Sequence, residues 1–357
     1  MRASVGLLLI GFGWQGVTTF RLVGEPDCGA KCRLSTKRLF RIGSDSEDVI
    51  NNYPIFISSE RKGRIFLIGP RPRHVLPEGP PLVFDQRGQY LGTLGGRGSG
   101  PGETWRPSWV DVDTDDSIRV FEQGRMVVFG QDLKHVATRS DTRSVRRLQD
   151  VVMLPDRSIV ALGSEFLTPG RPRAIHMLRP GEAAVQFMPE PQQPKADGRA
   201  RVLARFRNRG SDRFWVAQFD AHEGHGYDLL LMDVSPRVHI ALRRRPTWWR
   251  SAAIYGKPEF TPTSRVMAVR EVANGIVGVL FAHPRADWRP SRIEPKRGSY
   301  MAYETRLELM DTARGVVVAS AQMRGYPLRI LSDSTFATYL EDEDGTPHID
   351  VWSFKRQ

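Results

Sequence analysis

Cysteine is nearly missing from this chain: 357 residues hold two, both in Cys28-Gly-Ala-Lys-Cys32. With no histidine or further cysteine nearby, the pair falls short of the four ligands that a structural zinc site takes. A local disulfide in an exported chain and a pair of free thiols both fit, because so small a loop stabilises little. Long apolar runs are lacking as well. Beyond the N-terminus nothing approaches the roughly 20 apolar residues of a membrane span, so no internal transmembrane helix is expected. Helical periodicity is scarce, which argues against an α/β enzyme. No Gly-x-Ser-x-Gly elbow occurs and no cysteine has a credible histidine partner, so no catalytic residue is singled out.

What is present describes a soluble globular protein, with 40% apolar and 26% charged residues. The net charge is +12 and comes mostly from arginine. Such a balance favours polyanions such as acidic polysaccharide, nucleic acid or an anionic membrane surface, although charge also serves solubility alone. The N-terminus reads Met1-Arg2, then an apolar stretch Ala3 to Trp14 centred on Leu7 to Ile10, then Gln15. That is the shape of an export signal cleaved near Gly16 to Thr19, though no Ala-x-Ala site appears; a plain apolar strand is the other reading. The expected organisation is a signal peptide over 1–20, a leader over 21–31 and one domain over 32–357, exported to the periplasm or beyond.

Alternation and turn signals mark one unit again and again: four short strands, a to d from the inside outward. The clearest stretch runs from the outer half of one unit into the next: the strands Leu82-Val-Phe84 and Tyr90 to Leu94 flank an Asp-Gln-Arg-Gly turn. The glycine run Gly95 to Gly102 follows, then strands from Trp109, Ile118 and Met126. One such unit cannot bury its own apolar face, so copies must stack. Five complete units are legible, starting at Pro54, Trp109, Leu148, Val202 and Val266. A sixth, from Pro327, ends one strand short. Cys32 to Ile42 is a strand-length segment without a unit of its own, so the expected fold is an all-β, six-bladed β-propeller closed by pairing that early strand with the C-terminal blade. Closure removes exposed sheet edges.

Phe84-Asp-x-x-Gly88-x-Tyr-Leu-x-Thr-Leu-Gly95, Gly98-x-Gly-Pro-Gly-Glu103 with Pro107, and the ending Asp344-Gly-Thr-Pro-His-Ile-Asp-Val-Trp352 resemble the bacterial six-bladed propellers with NHL-like repeats. The resemblance is strong over residues 80–130 and loose elsewhere; the later blades lack the Gly-Pro-Gly loop. It implies the fold and an exported location, and little chemistry.

In such a meander the a–b and c–d turns lie on one face of the disc, and the b–c and d–a connections on the other. The long connections, among them Gly96 to Ser108, Arg243 to Arg265 and His283 to Glu304, all belong to the second face, where binding usually resides on a rigid scaffold. They carry the candidate ligand-binding residues Trp105, Arg106, Arg243, Arg244, Arg245, Trp248, Trp249, Arg250, Trp288 and Arg289. Arginine interleaved with tryptophan can pair anions and stack sugars or bases. The competing expectation is that these tryptophans fold back on the blades.

Other motifs are weaker. The glycine run fits neither G-x-G-x-x-G nor a Walker loop, so turn glycine is expected and no cofactor. Asp111, Asp113, Asp115 and Glu122 imitate a calcium loop, yet Asp116 stands where glycine is needed and strands flank it, so a hairpin is expected. His222 and His225 are weak metal candidates, and no metal is assigned. Three functions follow from different classes. The leading one is a non-catalytic exported propeller binding an anionic or carbohydrate-like ligand, or a protein. The second is a metal-dependent hydrolase of the gluconolactonase type, using Asp111, Gln149, Asp150 and Glu271 at the channel. The third, disfavoured by export, is an NHL-type nucleic-acid binder.

Overall fold

The computed structural model describes residues 19–25, 32–43, 54–70, 79–113, 116–122, 124–139, 145–165, 174–179, 185–188, 201–205, 211–219, 226–235, 237–250, 262–288 and 299–356. Cys28, His222, His225, Arg289 and residues 1–18 of the expected signal lie outside that set. Two strands precede the blades, β1 (Thr19–Val23) and β2 (Leu34–Ile42). Blade 1 comprises β3 (Pro54–Ser59), β4 (Ile65–Pro70), β5 (Leu82–Phe84) and β6 (Tyr90–Thr93). The short β7 (Gly96–Arg97) and β8 (Glu103–Thr104) pair with each other inside the next connection. Blade 2 holds β9 (Trp109–Val112), β10 (Ile118–Glu122), β11 (Arg125–Phe129) and β12 (His135–Arg139).

Blade 3 is built from β13 (Val145–Met153), β14 (Ile159–Glu165), β15 (Ala174–Leu178) and β16 (Val185–Met188). Blade 4 follows with β17 (Arg201–Arg205), β18 (Phe214–Phe219), β19 (Tyr227–Met232) and β20 (Val238–Arg244). Blade 5 has β21 (Arg265–Ala273), β22 (Ile276–Pro284), β23 (Tyr303–Asp311) and β24 (Val316–Arg324). Blade 6 has β25 (Tyr326–Ile330), β26 (Thr335–Glu341) and β27 (Pro347–Arg356). The sheets are antiparallel meanders, and the last takes β2 as its outer strand in the order β2-β27-β26-β25. The protein is thus a six-bladed β-propeller closed as the strand count demanded.

A propeller sheet is covered on both faces, so its middle strands can be continuous apolar runs instead of alternating ones. β22 shows this: Val277 to Pro284 is buried throughout. The core is a succession of layers between neighbouring blades. Phe66, Val120, Phe121 and Val151 join blades 1 to 3, and Trp215, Leu229, Val279 and Phe281 join blades 4 and 5. Ile42 of β2 packs with Ile57, Ile65 and Ile349 at the ring's seam. There Arg41 donates to both carboxylate oxygens of Asp350, at 2.8 and 3.1 Å. Gly88 in the β5–β6 turn has φ +84, and a Cβ on it would stand 2.8 Å from the Arg41 carbonyl, so only glycine lets blade 1 approach the closing strand.

The sheets also reach further back than Cys32. β1 adds a fifth strand to blade 4, parallel to β20 with Thr19 opposite Ile240 and Val23 opposite Arg244. From there the chain touches blade 5, where Gly24 bridges to Val316 and the Cys32 carbonyl accepts from the Ser320 amide at 2.8 Å. It then enters blade 6 as β2, so the N-terminal segment spans the rims of three consecutive blades. Cys32 is disulfide-bonded, in keeping with the first of the two readings of the pair.

Candidate functional site

Two Arg- and Trp-bearing connections on the long-loop face are described, at the junction of blades 1 and 2 and at that of blades 4 and 5. In a six-fold ring these junctions lie opposite each other. At the first, the glycine run curls around a carboxylate of its own chain: the Gly100 amide donates to Glu103 Oε2 at 2.7 Å. A Cβ on Gly98, whose φ is +154, would lie 2.2 Å from the same oxygen. The run therefore is turn glycine, as expected, and its resemblance to a phosphate cradle is taken up by Glu103.

A clamp built on a buried carboxylate fixes that loop. Arg125 ion-pairs with Glu122 and donates to the carbonyls of Ser99 (2.7 Å), Gly98 (3.1 Å) and Glu103 (2.9 Å). Glu122, only 5% exposed, accepts the backbone amides of Trp105 and Arg106, the latter at 2.7 Å. The outcome is an indole held out in solvent: Trp105 is 38% exposed, and the Arg97 guanidinium lies 4.7 Å over its ring. The sequence reading placed Glu122 in an imitation calcium loop and passed over Arg125. The visible signal was Glu122-Gln-Gly-Arg125, a two-residue hairpin with opposite charges at its ends. Asp113, another member of that imitation loop, sits in the β9–β10 hairpin and ion-pairs with Arg119.

The second connection has the richer composition and the opposite fate. Arg244 is 1% exposed and donates to both oxygens of Glu308 (2.8 and 3.1 Å), to the Gly24 carbonyl (2.8 Å) and to Glu25 (3.2 Å). Glu308, fully buried in β23, also accepts from Trp248 Nε1 (3.1 Å), Arg306 (3.3 Å) and the Tyr227 hydroxyl (3.2 Å). Trp248 packs against Phe281 and His283 with Arg306 4.4 Å over its ring, while Trp249 packs on Tyr227. Of this cluster, Arg244, Trp248 and Trp249 are turned into the protein, so the fold-back expectation holds for both tryptophans. Arg243 pairs with Asp228 at 2.9 and 3.1 Å. Arg245 is exposed, and Arg250 is half-buried with its amide donating to Ser264 at 3.0 Å.

Electrostatics follow from this burial. Burial works against the Arg244 cation, but the bonds and charge of Glu308 outweigh it and hold its pKa above the usual arginine range. Burial first, then the charge of Glu308, pushes the Tyr227 phenol well up. His283 is drawn down to about 4 by burial and by Arg306 and Arg250, which outweigh Glu304 at 3.9 Å. Buried ion networks shift pKa values in this way.

Trp288 is half-buried and packs on the cluster of Tyr303, Tyr326 and Tyr339. In the channel, Arg329 lies 4.4 Å over Trp109 and 4.6 Å over Phe56, and 3.8 Å from Asp150. It thereby links inner strands of blades 6, 1, 2 and 3. Among the described residues no three His, Cys, Asp or Glu side chains converge as metal ligands.

The fold is a six-bladed propeller whose described long connections carry arginine and tryptophan. No protein-family model matches the sequence, and no curated protein matches it. Among solved structures, the chain is similar to a Bacteroides fragilis protein designated as exported, with 11% identity, TM-score 0.54 and coverage of 94% of this chain and 100% of that one. It is also similar to a protein of unknown function from Dyadobacter fermentans, with 8% identity, TM-score 0.52 and coverage of 90% and 99%. At these identities the likeness speaks for the fold alone.

Proposed function

We propose that this chain is an exported, non-catalytic propeller of the NHL-like kind that binds an anionic or carbohydrate-like partner, or an acidic protein surface, through its long-connection face. The observation that carries the reading is the Arg97–Trp105 pair, exposed yet fixed by the clamp of buried Glu122 and part-buried Arg125. An indole face stacks on sugar rings, and a guanidinium pairs carboxylate, sulfate or phosphate with two parallel hydrogen bonds. A clamp that settles the rotamers in advance lowers the entropy lost on binding. The +12 net charge supplies long-range attraction toward such partners. Arg106 and the exposed Arg245 extend the basic rim, and no bound cofactor enters the reading.

The test is a screen of neutral glycans, acidic polysaccharides and nucleic acids against wild type and an Arg97→Ala/Trp105→Ala variant. Acidic polysaccharide is expected to bind wild type, with affinity falling as salt rises and dropping about tenfold or more in the variant. Equal affinity of the two proteins for every hit would remove this corner from the function. Preference for nucleic acid over acidic polysaccharide would replace the proposed partner class.

A further inference from the structure

β1 stands apart from the repeat. Ring closure is already complete through β2, and among the described residues the other blades show no fifth strand. β1 is parallel to its neighbour, as are the single bridges Gly24–Val316 and Arg33–Ser320 to blade 5, whereas the strand pairs within the blades are antiparallel. Its side chains alternate, with Phe20 and Leu22 exposed and Val23 buried among Trp215, Leu229 and Val317. The next two residues are read by polar groups: the Gly24 carbonyl accepts from Arg244, and the Glu25 carboxylate accepts from Arg244 and from the Thr247 amide, each at 3.2 Å. Backbone pairing along an edge, one side-chain pocket and a carboxylate receptor are the parts of a strand-addition site.

We infer that the outer edge of blade 4 is a peptide-receiving site, filled by the chain's own Thr19–Glu25. The ligand class it takes is an extended peptide with a small β-branched residue two positions before a carboxylate. Both donors to Glu25 are set without the peptide: Arg244 is oriented by Glu308, and Thr247 belongs to the turn in which the Trp249 amide donates to the Pro246 carbonyl. The receptor is thus preformed, and the cis strand holds it through one buried side chain, one carboxylate and a short ladder. The cis segment prevails over a free peptide because tethering raises its effective concentration.

The experiment uses the full chain with Glu25→Gln, a half-exposed position whose replacement spares the core, and a fluorescent peptide of the sequence Thr19 to Glu25. Hydrogen exchange at Phe20 to Gly24 is expected to rise in the variant while β18 and β19 stay protected. The variant is expected to take up the peptide, and wild type to take up far less. A peptide ending in Gln should bind the variant about tenfold more weakly, the worth of a hydrogen bond to a charged group. Unchanged exchange at Phe20 to Gly24, faster exchange without peptide uptake, or equal uptake by the two chains would each overturn the inference.

Discussion

The two arginine–tryptophan loops on the same face of the disc have nearly the same chemistry and opposite destinies. Between blades 4 and 5, Arg244 and Trp248 meet Glu308, a carboxylate with no exposure, and both side chains are drawn into the inter-blade layer. Between blades 1 and 2 the acidic partner, Glu122, takes Arg125 and two backbone amides instead, and so leaves Arg97 and Trp105 outside. Composition is therefore a poor guide to which loop keeps its arginine and tryptophan exposed. What decides is where the buried carboxylate stands and what it accepts.

The largest expected effect comes from breaking the buried side of this comparison. Glu308→Ala strands the Arg244 charge in the interior and should destabilise the protein by about 3–5 kcal/mol, read from the denaturation midpoint. A loss under about 1 kcal/mol would mean that the network is not a keystone of that junction.

A smaller effect comes from pH. The folded pKa of His283 is about 4 against an ordinary 6.5, so the unfolded chain binds the extra proton between those values. The contribution of neutral His283 is complete above about 6.5 and is lost as pH falls toward about 4. His283→Gln should flatten the dependence of stability on pH in that window; an unchanged slope would assign the acid sensitivity to other groups. Glu25 acts in the same direction at lower pH. Burial alone would raise its pKa, but the Thr247 amide and Arg244 outweigh that and leave it lowered, so its help fades as the carboxylate protonates.

Smaller again is Glu122→Gln, which keeps the shape and removes the charge opposite Arg125. A loss of about 1–2 kcal/mol is expected, with a shift in Trp105 fluorescence that a distant structural defect would not produce. Trp105→Ala should leave stability within about 0.5 kcal/mol, because its side chain lies at the surface.

Much of the fold was legible because the apolar alternation of the blades is regular and the final blade lacks one strand that Leu34 to Ile42 can supply. β1 was not legible. Thr19 to Val23 reads as the tail of an apolar leader, and a parallel strand arrives without a turn to announce it. At the site, the arginines and tryptophans were visible, but their sorting was not. Arg244 and Glu308 are 64 residues apart on different blades, and only the ring brings them together. The clamp was missed for a different reason: Glu122 was weighed as an imitation metal ligand, while its actual partner lay three residues away across a hairpin.

The most direct test of the account is the affinity of an acidic polysaccharide for Arg97→Ala/Trp105→Ala, measured beside the unfolding midpoint of the same protein. The account predicts at least a tenfold loss of affinity, roughly 1.4 kcal/mol, with an unmoved midpoint. Undiminished binding would contradict it.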